Sequence, residues 1–362
     1  MYLESIHVTN FRNLSDVTLT PSPHANVLYG SNGSGKTNLL EAVFVALLGR
    51  SHRGAADQVM VRDGEDVYRI TATLAGNSGT ETVAVAYQRG GRKKVTLDGA
   101  PARLSDLYDR FSVVSIGPED SEILSGAPSV RRFYLDLYLS QRSPRYINLL
   151  NDYQRALAQK NAALKAESDC TPFDELLVKT GSVIIRERRN FIRTIHSVAG
   201  KCYADFADGS TLTLDYQPAL STWSDDIDDD RIAEKFAEAI RIAHNRERGA
   251  QLAMVGPHRD DIRIEIDNYP ARTHASQGEW RTAAIALKLA VYDLLSETRG
   301  MRPVLLLDEI FAELDPDRTA RLVKSFDALG QLFLTTADGP PEALRAESRS
   351  FRIAQGTIVE MR

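Results

Sequence analysis

The sequence predicts an α/β fold: a mixed-sheet lobe with an antiparallel β subdomain, joined to a mainly α-helical second lobe. Three observations predict it. An apolar strand runs into a glycine-rich loop and then a helix in "NVLYGSNGSGKTNLLEAV". The strand "VLLLDE" is apolar until its last two residues, as a central parallel strand buried on both faces should be. Between these two, residues 117–250 carry apolar side chains mostly at helical spacing. With 362 residues, 43% hydrophobic and 26% charged, the composition is that of a globular protein with a sizeable core. The net charge of -5 means that a nucleic-acid partner must meet a local basic patch. Cys170 and Cys202 match no metal-ligand spacing and read as reduced thiols of a cytosolic protein. The N-terminus has no signal-peptide core. The apolar stretch "LLEAVFVALLG" is too short for a bilayer and carries Glu41. A cytoplasmic location without a membrane segment is expected.

Each element follows in chain order. Residues 1–30 read as a β-hairpin around "NFRNL", then the apolar strand "NVLY" ending at Gly30. A helix runs from Lys36 to about Leu48. Residues 66–98 alternate apolar and polar in three runs, an antiparallel sheet, and "FSVVSI" is one more short strand. Leu150, Tyr153, Leu157 and Leu164 share one helical stripe, and Leu177, Ile184, Phe191 and Ile195 another. They predict two antiparallel helices with coiled-coil-like spacing. A strand, "TLTLDYQ", intervenes before a helix bearing Ile232, Phe236, Ile240 and Ala243 on one face. From Gly256 the α/β pattern returns: strand "DIRIEID", helix 279–296, "VLLLDE", helix 316–328, strand "QLFLTT" and a last strand near "GTIVEM". The expected division is 1–116 and 251–362 for the first lobe and 117–250 for the second. The end of the second lobe falls between 205 and 250, because "TLTLDYQ" has the option of returning to the first lobe's sheet.

Gly30, Ser31, Asn32, Gly33, Ser34, Gly35, Lys36 and Thr37 fit G-x-x-x-x-G-K-[ST]. The glycines let successive N–H groups face phosphate oxygens, and the following helix adds the positive end of its dipole. Lys36 is placed to reach the β/γ-phosphates and the Thr37 hydroxyl to ligate Mg²⁺. Asp308, at the end of a buried strand, holds the Mg²⁺ shell in this reading. Glu309 is positioned to polarise the attacking water. Alone, the acid pair would be a strand ending in solvated carboxylates; the phosphate loop changes its meaning. Ser276, Gln277, Gly278 and Glu279 form a helix start.

These motifs, in this order, resemble those of ABC-type P-loop ATPases. Ser276–Glu279 is similar to their signature motif, and "ELD", ending at Asp315, to their D-loop. The resemblance implies that the signature of one subunit faces the phosphate loop of another, so that two subunits sandwich two ATP molecules. "FLTTADG", with Thr335 and Thr336, stands where transport ATPases carry a switch histidine. The usual Q-loop glutamine has no clear counterpart either, Gln141 being unconvincingly placed. Chromosome-maintenance ATPases open as this chain does, with "NFRN", but separate the two motifs by long coiled coils. Here the interval from Thr37 to Ser276 leaves room only for a helical stub.

That combination resembles the RecF family of bacterial recombination mediators, over essentially the whole chain. "GPEDSEILSGAPSVRRFYLD", residues 117–136, and "GPHRDD", residues 256–261, are similar to its two signatures. Trp280 departs from the polar residue expected there. The resemblance implies a weak, DNA-dependent ATPase that dimerises on ATP and binds duplex DNA at gaps and junctions. It implies partnership with RecR and RecO in loading RecA. By the same resemblance Arg12 reaches the nucleotide; otherwise it is a surface turn arginine. Candidate DNA contacts are Arg89, Arg92, Lys93, Lys94, Arg131, Arg132, Arg186, Arg188, Arg189 and Arg193, unless these are merely solvated faces. Arg131 and Arg132 also have a structural reading within the first signature. His258 with Asp260 and Asp261 lacks a further ligand at metal spacing, so a structural role is expected. Rival readings are an overcoming-lysogenisation-type ATPase-nuclease, for which the residues before Arg362 leave no nuclease domain, and a soluble transporter ATPase.

Overall fold

The computed structural model describes residues 1–76, 79–207, 209–224, 226–310, 329–340, 344 and 348–361. The chain forms two units, one from residues 1–120 and 288–362 and the other from 121–287. In the first unit the N-terminal hairpin is β1 (Tyr2–Phe11) and β2 (Leu14–Leu19), followed by β3 (Ala25–Tyr29). Helix α1 (Lys36–Leu48) and a short α2 (Asp57–Met60) precede β4 (Val67–Gly76), β5 (Gly79–Gln88), β6 (Lys94–Leu97) and β7 (Ala100–Pro101). Helix α3 (Leu104–Arg110) leads to β8 (Val113–Ile116).

The antiparallel sheet has the order β2-β1-β4-β5-β6-β7. Its inner face is the apolar half of each alternating strand: Ile6 and Val8, Tyr68 and Ile70, Val83 and Val85 are all buried. Helix α1 is apolar nearly all round and correspondingly buried, from Leu39 through Leu48. It packs against β1, β4 and β5 of that sheet and against β8 and β13 (Leu332–Thr336) of the other.

In the second unit α4 (Glu122–Ser125), α5 (Pro128–Arg142), α6 (Pro144–Lys165) and α7 (Thr171–Phe206) follow in succession. Then come β9 (Leu212–Gln217), α8 (Ile232–Ala250), β10 (Asp261–Ile266), β11 (Tyr269–Pro270) and α9 (Ala271–His274). The expected stripes form the core: Tyr153, Leu157, Leu177, Ile184, Phe191 and Phe236 are buried. Gly181 of α7 marks the closest approach, because a Cβ there would lie 2.4 Å from the Phe236 ring. Helix α10 (Gln277–Arg299) starts in the second unit and ends in the first.

β12 (Val304–Leu307), β13, β14 (Ser348–Ala354) and β15 (Thr357–Met361) complete the mixed sheet, ordered β15-β14-β3-β13-β12-β8. All its pairings are parallel except β14 with β15. The expected helix 316–328 and D-loop residue Asp315 lie outside the described residues.

The units divide later than the sequence suggests. β9 pairs along its length with β10, Leu212 facing Ile266 and Gln217 facing Asp261. "TLTLDYQ" therefore does not return to the first unit's sheets. Residues 251–287 stay with the helical unit, which ends at Leu287 rather than 250. Strand pairing across a long interval decides this, and no local pattern encodes it. No helix among the described residues is long and apolar enough to cross a membrane.

Candidate active site

The site begins where β3 ends. Gly30, Gly33 and Gly35 have φ of 149°, 77° and 112°. At Gly30 the requirement is also steric: a Cβ would lie 2.2 Å from the Ile353 carbonyl oxygen. A second loop braces this one. Asn13 donates from Nδ2 to the Gly33 carbonyl at 3.1 Å and accepts from Asn38 Nδ2 at 2.8 Å. Lys36 is buried, its Nζ donating to the carbonyls of Gly30 at 2.8 Å and Ser31 at 3.3 Å. The same Nζ lies 3.4 Å from Glu309 Oε1.

Parallel pairing of β12 with β13 and β8 brings the acid pair to this loop. Asp308 Oδ1 accepts from Thr37 Oγ1 at 2.9 Å and from Thr335 Oγ1 at 2.6 Å. Burial raises the Asp308 carboxyl above its ordinary range, outweighing these two bonds. Glu309 has φ of 50°, a left-handed conformation rare for a side chain of its size. Its N–H donates to Thr335 Oγ1 at 2.8 Å. Thr335 is thus a residue of the site, although its place in the sequence stands out only for the missing histidine.

Thr37 spends its one hydroxyl proton on Asp308, so its lone pairs face outward. A buried carboxylate beside such a hydroxyl is a hard-oxygen pair, the donor set Mg²⁺ takes when phosphates and water complete its octahedron. Among the described residues no group of three or more His, Cys, Asp or Glu is arranged to hold a metal by protein ligands alone. The residues present therefore fit a Mg²⁺ shared with a phosphate ligand.

Arg12 is placed on a buried partner. It donates from Nε and Nη2 to the two oxygens of Glu41, at 2.9 and 3.0 Å, and from Nη1 to the Val59 carbonyl at 3.0 Å. Burial pushes the Glu41 carboxyl up, but the bonds from Arg12 and Ser51 prevail and hold it below its usual range. Glu119, in the first signature, accepts from Arg53 Nε at 2.6 Å, with His52 Nε2 at 3.6 Å. Burial opposes ionisation there too, yet His52 and Arg53 bring its pKa down to about 2. Its neighbour Asp120 lies 2.7 Å from the buried Lys288.

Ser276 and Glu279 form a reciprocal capping box. The Ser276 N–H donates to Glu279 Oε2 at 2.7 Å, and the Glu279 N–H to Ser276 Oγ at 3.3 Å. Ser276, Gln277 and Gly278 are exposed at the start of α10. Trp280 lies under the cap, its indole N–H donating to the Ala271 carbonyl at 2.7 Å. That accounts for a tryptophan at this position.

The basic candidates separate by burial. Arg131 is buried, donating to both Asp261 oxygens at 2.6 and 3.0 Å and to the carbonyls of Ile123 and Gly126. Arg132 donates to the Asp260 carbonyl at 2.7 Å. Arg189 donates to the Ile227 carbonyl, pairs with Asp229 and lies over Trp223. Arg89 donates to the carbonyls of Glu65, Gln58 and Val61, and Lys93 pairs with Asp57 at 2.9 Å. Arg92, Lys94 and Arg193 are exposed, and Arg186 is half-buried. Gln141 is fully buried within α5. His258 contacts Tyr153 OH at 2.7 Å and the Ala253 carbonyl at 3.2 Å, and burial lowers its pKa to about 4, so the ring is a neutral packing element.

Comparison with known proteins adds three findings. The profile of the RecF/RecN/SMC N terminal domain matches residues 2–340. A DNA replication and repair protein RecF of Symbiobacterium thermophilum is 36% identical, over 99% of this chain and 98% of its own; one of Staphylococcus epidermidis is 32% identical over 99% and 100%. A solved structure described as the recombination mediator protein RecF-ATP in the RecFOR pathway superimposes with a TM-score of 0.92 at 30% identity. That match covers 99% of this chain and 97% of the other. A chromosome-maintenance head domain bound to a winged-helix partner matches with a TM-score of 0.54 at 16% identity, a likeness of fold alone.

Proposed function

The chain belongs to the RecF/RecN/SMC family, and from that premise we propose that it is a recombination mediator of the RecF type, an ATP-driven switch that acts on DNA. The carrying observation is the convergence of Lys36, Thr37, Asp308, Glu309 and Thr335 at one loop. The loop N–H groups and Lys36 bind the phosphates of ATP. Thr37 and Asp308 hold Mg²⁺, which neutralises phosphate charge when bound. Glu309 orients and polarises water against the γ-phosphate. Without a switch histidine, hydrolysis is slow and times a bound state.

In this reading the exposed cap at Ser276–Gly278 meets the γ-phosphate held by a second subunit, with Glu279 keeping the cap in shape. Its donors have that partner only before hydrolysis, so ATP closes the dimer and hydrolysis opens it. Duplex DNA at single-strand gaps is held by phosphate contacts, for which Arg92, Lys94, Arg186 and Arg193 are better placed than the buried arginines. RecR is the proposed direct partner, with RecO and RecA loading downstream.

Replacing Glu309 with Gln tests the core of this. In saturating ATP the variant should bind nucleotide and accumulate as a dimer by light scattering, with turnover reduced on the order of 100-fold or more. A monomer under those conditions refutes the sandwich. Turnover on gapped against blunt duplex then tests the DNA assignment.

A further inference from the structure

Glu309 is held by something other than its own side chain. It lies two residues beyond the end of β12, its φ of 50° turns the chain sharply, and its carboxylate reaches towards Lys36. A non-glycine residue in the left-handed region costs about 1–3 kcal/mol and persists only where its surroundings enforce it. Among the described residues Thr335, near the end of the adjacent parallel strand β13 and almost wholly buried, touches both it and its neighbour. Its single hydroxyl accepts from the Glu309 N–H at 2.8 Å and donates to Asp308 Oδ1 at 2.6 Å. A hydroxyl has one proton and two lone pairs, so both bonds form at once and fix each other's direction.

We propose that Thr335 is the positioning residue of the site: its hydroxyl sets the peptide of Glu309, and with it the carboxylate that orients water, while orienting Asp308. A carboxylate displaced by about 1 Å costs roughly 100-fold in rate even when substrate binding is intact. β13 gives the hydroxyl a rigid mount, and isosteric replacement isolates it. Thr336, the next residue, provides the contrast. Among the described residues its Oγ1 accepts a long bond of 3.4 Å from the Asp338 N–H and bonds to neither acid.

The proposal rests on Glu309 acting in hydrolysis, and the experiment separates the two ideas. Thr335→Val, Thr335→Ser, Thr336→Val and Glu309→Gln are compared for ATP turnover, for affinity towards a fluorescent ATP analogue, and for thermal unfolding without nucleotide. Thr335→Val should lower kcat on the order of 10- to 100-fold, with nucleotide affinity held within about threefold. Thr335→Ser should restore most of the rate, and Thr336→Val should leave it unchanged. Adding Thr335→Val to Glu309→Gln should cost little more, because both act through one group. If Thr335→Val does not fold, Thr335→Ala is read by the same split of kcat from affinity. A fully active Thr335→Val beside an inactive Glu309→Gln overturns the positioning role alone. An active Glu309→Gln removes the reading beneath it. Equal losses of rate and affinity in Thr335→Val, without rescue by Ser, also overturn the proposal.

Discussion

The phosphate loop and the core of the helical unit use the same kinds of residue to opposite ends. At the loop, the cation is held mainly by main-chain carbonyls and the glutamate is only loosely paired. Lys36 rests on two carbonyls and a carboxylate 3.4 Å away, Thr37 presents lone pairs, and Glu309 stays partly exposed. In the helical unit a buried charge network is closed within the protein. Arg188 donates to Asp136 at 2.8 Å and to the Pro257 carbonyl at 2.7 Å, with Asp260 at 3.5 Å. Asp260 in turn accepts from the Tyr216 hydroxyl and from the Ala219 N–H. Both signatures, residues 117–136 and "GPHRDD", supply members of this network. A motif is thus no guide to ligand binding until burial and saturation are known.

The contrast is open to attack. Arg188→Ala leaves half-buried Asp136 and buried Asp260 without this cation, and unfolding should become easier by about 3–5 kcal/mol. Calorimetry checks this, and nucleotide affinity of the folded protein should hold. Lys36→Arg should do the reverse. The guanidinium does not fit the compact ammonium position, so ATP affinity by titration should fall about tenfold, or about 1.4 kcal/mol. The melting temperature without nucleotide should move far less than for Arg188→Ala. If both variants lose stability equally, the two regions are not separate in kind. Ser276→Ala is the smallest effect. It removes a helix cap worth about 1 kcal/mol, and its main signature should be weaker ATP-dependent dimerisation with monomer nucleotide affinity intact.

Much of this was legible locally. The glycine-rich loop, its flanking strand and helix, the apolar β12 and the alternating strands of the antiparallel sheet all follow from short-range pattern. So does the cap at Ser276. The basic clusters misled in part: Arg131 and Arg189 look like surface charge in a helical register, yet each is buried against partners far along the chain. The late end of the helical unit misled for the same reason, since β10 finds its partner in β9.

What the sequence determined alone is the chemistry that neighbours in the chain can encode: backbone freedom at Gly30, Gly33 and Gly35, the cation at Lys36, the acids at the end of a buried strand. Only the tertiary structure decided which side chains position those groups. Thr335 acts on a residue 26 positions away, Asn13 on a loop 20 positions away, and Arg131 on an acid 130 positions away. Hydrogen bonds are directional over about 3 Å, so whether two such groups meet depends on strand pairing and packing of the whole unit, which periodicity does not record.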